Sequence, residues 1–272
     1  MPRFPYLKTL GDSFALTFKN FLLFVPAILV LLLNILFSVA LIPFTAGINV
    51  TNGFSIKAVV LLALFGLFSV ILTLIAYGWF FALVKRMVEK KKLKLSEAFS
   101  EGLPLSLKYL KAFFIIGVLF IAISVITLIV GGTFSLIPVA GIAFIVILAI
   151  CEAFFLFLAL CASFYLTPII ILEKAGAWKS IKLNYHLFMK HKRHTVKMAL
   201  LTILIMIVAS LPSLTLQFQA IIASFSGQVV EQTPSLSLSL INQLLTIPIQ
   251  IAIVVITVFY TLAYLKLKKV PN

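Results

Sequence analysis

The sequence predicts an all-α integral membrane protein with six transmembrane helices, arranged as three repeated units of an amphipathic interfacial helix plus a transmembrane hairpin. Three observations predict it. Hydrophobic residues make up 63% of the chain and charged residues only 11%, whereas a soluble domain carries about 25% charged residues. Six apolar stretches are long enough to cross about 30 Å of hydrocarbon. The 22 basic residues crowd into alternate connections between those stretches. Residues 1–272 read as a single transmembrane domain, with no length left for a separate soluble one.

The first unit covers residues 8–94. Leu10, Phe14, Phe18 and Phe21 recur at spacings that place them on one helical face, and Asp12 is expected as the N-cap. Spans Phe21–Phe44 and Ala58–Val84 follow. The first of these is too long for the core of a cleavable signal. The second unit covers residues 95–174, with Ser96 as the expected N-cap and Phe99, Leu103, Leu107 and Leu110 on one face. Gly102-Leu103-Pro104 is expected to separate this stretch from span Ala112–Val130. Span Ile142–Leu172 returns, long enough to tilt. The third unit covers residues 175–269. Trp178, Ile181, Tyr185 and Phe188 share a face, the Lys190–Lys192–Arg193 cluster interrupts, and spans Met198–Ser224 and Leu240–Leu265 complete the hairpin. Lys19, Lys108, Lys111, Lys179, Lys182 and Lys190 fill much of the remaining surface of the three leading helices. The returning spans end alike, with aromatics in Tyr77–Val84, Phe164–Leu172 and Phe259–Leu265, as rings favour the membrane–water boundary.

Setting aside Lys57, the other 21 of the 22 basic residues lie in the N-terminus, the 85–111 and 173–197 loops or the C-terminal tail. The positive-inside rule makes that side cytoplasmic. The expected location is the cell membrane, multi-pass, with both termini in the cytoplasm. The net charge of +15 then implies contact with anionic lipid headgroups rather than nucleic acid, with Lys85, Arg86, Lys90, Lys91, Lys92, Lys190, Lys192 and Arg193 as the contacts. Asn49-Val50-Thr51 is an N-glycosylation pattern in an outside loop.

Pro168-Ile169-Ile170-Ile171-Leu172-Glu173, followed by Ala177-Trp178-Lys179-Ser180-Ile181-Lys182-Leu183-Asn184-Tyr185, resembles a region of prokaryotic, archaeal-type polytopic membrane proteins related to the membrane domain of glycerophosphodiester phosphodiesterases. The resemblance implies the repeated six-span layout, with a small polar residue common where this chain has Asn184. The phosphodiesterase catalytic domain has no counterpart here, so no hydrolytic activity is implied.

Candidate chemistry is sparse. Glu152 falls about 15 Å into the fourth span, where a carboxylate must face the bundle interior or be protonated. Asn34 and Gln250 reach similar depth, and a buried cluster of Glu152, Asn34 and Gln250 would satisfy all three by hydrogen bonding. Cys151 and Cys161, about 15 Å apart along a helix, are too distant for a disulfide. Pro26, Pro43, Pro168, Pro212 and Pro248 lie in or at the ends of spans, and Gly66, Gly78 and Gly117 permit close packing. His191 and His194 share a face, but lysines around them repel a cation, and no metal site is expected. There is no phosphate loop, HExxH motif or GxSxG elbow. No enzymatic activity and no cofactor are expected.

The expected function is therefore structural or accessory, with a basic cytoplasmic collar contacting anionic lipid or a protein partner the sequence leaves unnamed. The alternative is a small proton- or cation-coupled transporter or channel using Glu152. A lipid-modifying enzyme is the least expected.

Overall fold

The structure, a computed structural model, describes residues 4–45, 56–134, 157, 161, 164–173, 175–225 and 236–268. Among these residues every regular element is helical. Helix α1 runs Tyr6–Lys19, a 3-10 turn follows at Phe21–Phe24, and α2 runs Val25–Thr45. Then come α3 (Ile56–Val88), α4 (Leu95–Phe134), α5 (Leu166–Leu172), α6 (Ala177–Lys190), α7 (Lys192–Phe225), α8 (Leu236–Leu245) and α9 (Ile247–Lys268).

Three helical segments are long and apolar enough to cross a membrane: Ala63–Val88, Lys192–Thr215 and Gln243–Lys268. A fourth candidate is the pair Tyr6–Lys19 and Phe21–Phe37, bent by 89°. The bend has a local cause. The Asn20 backbone N–H donates to the Leu16 and Thr17 carbonyls, and its side-chain amide donates to the Leu16 carbonyl at 2.8 Å. These bonds satisfy the last carbonyls of α1 and end it.

The second unit differs from its sequence reading. Residues 95–110 do not form a separate helix; α4 is one helix through Pro104. Gly102 serves as a packing position, not a breaker. Its missing side chain lets α4 cross α3 at Gly78, so closely that a Cβ on Gly102 would lie 2.6 Å from the Trp79 nitrogen. Tertiary packing overrides local propensity here, and membrane helices tolerate proline. Asp12 lies inside α1, not at its N-cap, because the helix starts at Tyr6. Ser96 likewise falls within the first turn of α4. The third unit does break, at His191 between α6 and α7. The helical stretch read from sequence as the sixth span is interrupted at Thr246, with Pro248 in the first turn of α9, where its missing N–H costs nothing.

The core sits toward the basic end of the bundle. One cluster gathers Leu23, Phe24, Phe80, Leu83, Ile170, Val254 and Val258. A second gathers Phe4, Phe164, Tyr165, Met198, Phe259 and Tyr264. Away from this end the helices are apolar and exposed, as Leu32, Leu64, Phe68, Leu204 and Val208 show.

Candidate functional site: the basic end of the bundle

The end of the bundle that carries the lysines is stitched together by polar side chains from distant parts of the chain. Arg86, at the end of α3, has a side chain only 9% exposed. It donates to Glu97 Oε2 at 2.6 Å, to Glu101 Oε1 at 2.8 Å and to the Lys92 carbonyl at 3.3 Å. Trp79 Nε1 donates to the Leu95 carbonyl at 3.0 Å. These bonds clamp the turn between α3 and α4. Lys266 Nζ, near the end of α9, donates to Asp12 Oδ2 and Thr9 Oγ1, both at 3.0 Å. Tyr6 hydrogen-bonds with His194. Glu173 accepts from Tyr264 at 2.6 Å and from Lys268 at 2.5 Å. The first and last helices are thus tied to each other and to the middle of the chain.

Electrostatics follow from these pairs. The Lys94 ammonium, then the Arg86 guanidinium, holds the Glu97 carboxyl below the ordinary carboxylate range. Arg86 does the same for Glu101, and Lys268 with Tyr264 for Glu173. Burial, then the charge of Lys190, lowers the His191 pKa. All five carboxylates among the described residues are in ion pairs: Asp12, Glu89, Glu97, Glu101 and Glu173.

The basic residues singled out from sequence divide into two groups. Arg86 turns inward and is committed to the clamp. Lys85 is half-buried, and Lys90, Lys91, Lys92, Lys190, Lys192 and Arg193 are exposed. Lys91 pairs with Glu89 at 2.7 Å. Lys90, Lys92, Lys192 and Arg193 belong to none of the ion pairs among the described residues.

Glu152 and Asn49 lie outside the described residues. Asn34 and Gln250 are half-buried. Gln250 lines a small cavity with Pro26, Val30, Tyr77, Phe80 and Val254, with about 20 Å³ open to the centre of a water molecule, enough for one water. Asn34 lies one turn beyond Val30 on the same face of α2.

Asn184, noted from sequence only through a resemblance, is buried, and its side-chain oxygen accepts from the Tyr165 N–H at 3.0 Å just before α5. The Tyr165 hydroxyl meets Thr195 Oγ1 at 2.8 Å, and Thr195 donates to the His191 carbonyl. Tyr260 donates to Thr202 Oγ1 at 3.0 Å, and Thr202 donates to the Met198 carbonyl. Such pairs join α5, α7 and α9, and periodicity alone does not reveal them. Comparison with known proteins finds no matching family model, no similar curated protein and no similar solved structure.

Proposed function

We propose that this chain is a six-span, structural or accessory membrane protein whose three leading amphipathic segments collar the cytoplasmic surface and engage anionic lipid. One observation carries the reading: the three segments share a three-sector surface in the same rotational order. At about 100° per residue, α1 turns Leu7, Phe14 and Phe18 outward, and all three are exposed. About 120° further round come Lys8, Asp12 and Lys19. About 120° beyond these, Thr9, Ser13 and Thr17 are buried against the bundle. In α6 the outward sector is Trp178, Tyr185 and Met189. Lys179, His186 and Lys190 form the polar one, and Ser180 and Asn184 face inward. The start of α4 repeats the order with Phe99, Leu103 and Leu110, then Ser100 and Lys111, then Ala98, Gly102 and Leu105.

A soluble helix needs only two faces. A helix lying in a membrane surface at the rim of a bundle meets three surroundings: protein, acyl chains and headgroup water. The sharp turn after α1 supports an in-plane helix leading into a span. The consumption of the described carboxylates in ion pairs leaves exposed cations to meet lipid phosphate, worth about 1 kcal/mol each near an anionic surface.

The test titrates phosphatidylglycerol or phosphatidylcholine into the detergent-solubilised protein and follows Tm. Phosphatidylglycerol is expected to raise Tm more, and the difference should shrink at about 1 M salt, where screening reaches about 3 Å. Equal protection by both lipids would sink the reading. The second reading, a proton- or cation-coupled transporter using Glu152, draws on the interruption of the sixth span at Thr246 beside the cavity lined by Gln250.

A further inference from the structure

Lys90 is in the left-handed region, with φ of 56°, and no other non-glycine residue among the described residues has a positive φ. It ends α3 in a Schellman arrangement. The Lys91 N–H donates to the Arg86 carbonyl at 2.9 Å and the Lys90 N–H to the Met87 carbonyl at 3.1 Å. Glycine is the usual residue at this position because a Cβ is strained there. A turn selected only to reverse the chain has no use for a lysine in that conformation.

The surroundings give the lysine a use. The turn is rigid, since Arg86 holds Glu97, Glu101 and the Lys92 carbonyl at once. Lys90 and Lys92 stand exposed at its tip and belong to none of the described ion pairs. Arg86 takes up Glu97 and Glu101, and Lys91 takes up Glu89, so the nearby carboxylates are already neutralised. Two ammonium groups are thus presented from a fixed backbone, without acidic competition. Fixing the donors in advance lowers the ordering cost of binding an anion.

We propose that the α3–α4 turn is a preorganised site for the phosphodiester of an inner-leaflet anionic lipid, held by Lys90 and Lys92. The strained lysine is retained for its charge. This rests on the lipid-collar reading and assigns that reading a specific locus.

The test uses the full chain in detergent, with Lys90→Gly and Lys92→Gln. Lys90→Gly relieves the strain and removes the charge, so two readouts move in opposite directions. Its Tm without lipid rises by about 2–4 °C, and its apparent affinity for phosphatidylglycerol falls roughly fivefold. Lys92→Gln keeps the backbone, leaves Tm unchanged and lowers affinity by a similar factor. Full retention of phosphatidylglycerol affinity by both variants, beside a wild type that prefers it over phosphatidylcholine, overturns this site while sparing the collar. A wild type with no such preference overturns both. A fall in Tm for Lys90→Gly overturns the strain argument on which the assignment depends. Protection by inorganic phosphate alone, lost in Lys90→Gly, overturns the lipid as occupant.

Discussion

Arg86 shows how a single residue can be misread when only its neighbours in sequence are known. It stands in a run of lysines, and its charge type places it with them. The fold turns it inward, because Glu97 and Glu101 lie one turn apart at the start of α4 and together face the end of α3. The guanidinium suits this role, since its planar array of donors serves two carboxylates and a carbonyl at once. Glu97 and Glu101 stand four residues apart in the sequence, a helical spacing that puts them on one face. That they point at Arg86 depends on the hairpin closing at Gly78 and Gly102, which no local pattern states. A pH dependence follows. Glu97, Glu101 and Glu173 have folded pKa values below the ordinary value of 4.5. The stability they add is therefore complete at neutral pH, begins to fall as pH drops past 4.5, and is gone once pH has passed the depressed values. Arg86→Gln should lower Tm at pH 7 and make the acid limb shallower. The limb should not vanish, because Lys94 still holds Glu97 and Lys268 still holds Glu173. Thermal scans between pH 7 and pH 3 would show it; an unchanged acid limb would contradict the role given to Arg86.

At the scale of elements, the hairpin of α3 and α4 is where the sequence misleads most. Glycine and proline close together read as punctuation, and the run 102–104 has both. In water that reading is usually sound, because a freed carbonyl finds solvent. In an apolar setting a helix can run on through a proline, because neighbouring groups re-satisfy the carbonyl it frees, and α4 runs on through Pro104. The glycines then sort by what lies beside them, which depends on the partner helix. A Cβ on Gly78 would lie 2.6 Å from Ser106 Cβ, while Gly66 and Gly117 have nothing within 4 Å. Gly78→Val should therefore cost about 1–3 kcal/mol or more by overpacking. Gly117→Ala should stay within about 0.5 kcal/mol. Chemical or thermal unfolding of the two variants side by side would separate them, and equal effects would mean that the crossing is not as close as the structure has it. The helices α1 and α3 and the apolar helical segment Gln243–Lys268, by contrast, were legible from apolar length and spacing alone. The break at Thr246 was hinted at by Pro248, but proline is common enough in such helices that the hint carried little weight.

At the scale of the whole molecule, the question is whether the interior conducts or only holds. The described polar groups argue for holding. Tyr165 meets Thr195, and Tyr260 donates to Thr202, but each threonine hydroxyl is in turn donated to a backbone carbonyl of its own helix. A hydroxyl chain that ends on a carbonyl passes no proton onward. The cavity at Gln250 has room for one water, not for a file of them. The ties from α1 to α9, through Asp12 and Lys266, fasten the basic end across the ends of the chain. Three units entering from the same side, as the sequence reading has them, would also lack the inverted symmetry on which many transporters rock. Reconstituted in liposomes under a proton or cation gradient, the wild-type protein is expected to show background flux, and Glu152→Gln the same. If Glu152 lies at mid-membrane depth as its place in the apolar stretch 142–172 predicts, its carboxyl is expected to be protonated, and the glutamine variant should also fold with near-normal yield and Tm. Flux above background that Glu152→Gln abolishes would move the interior from scaffold to pathway, and a collapse in folded yield would show that the carboxylate charge itself is required.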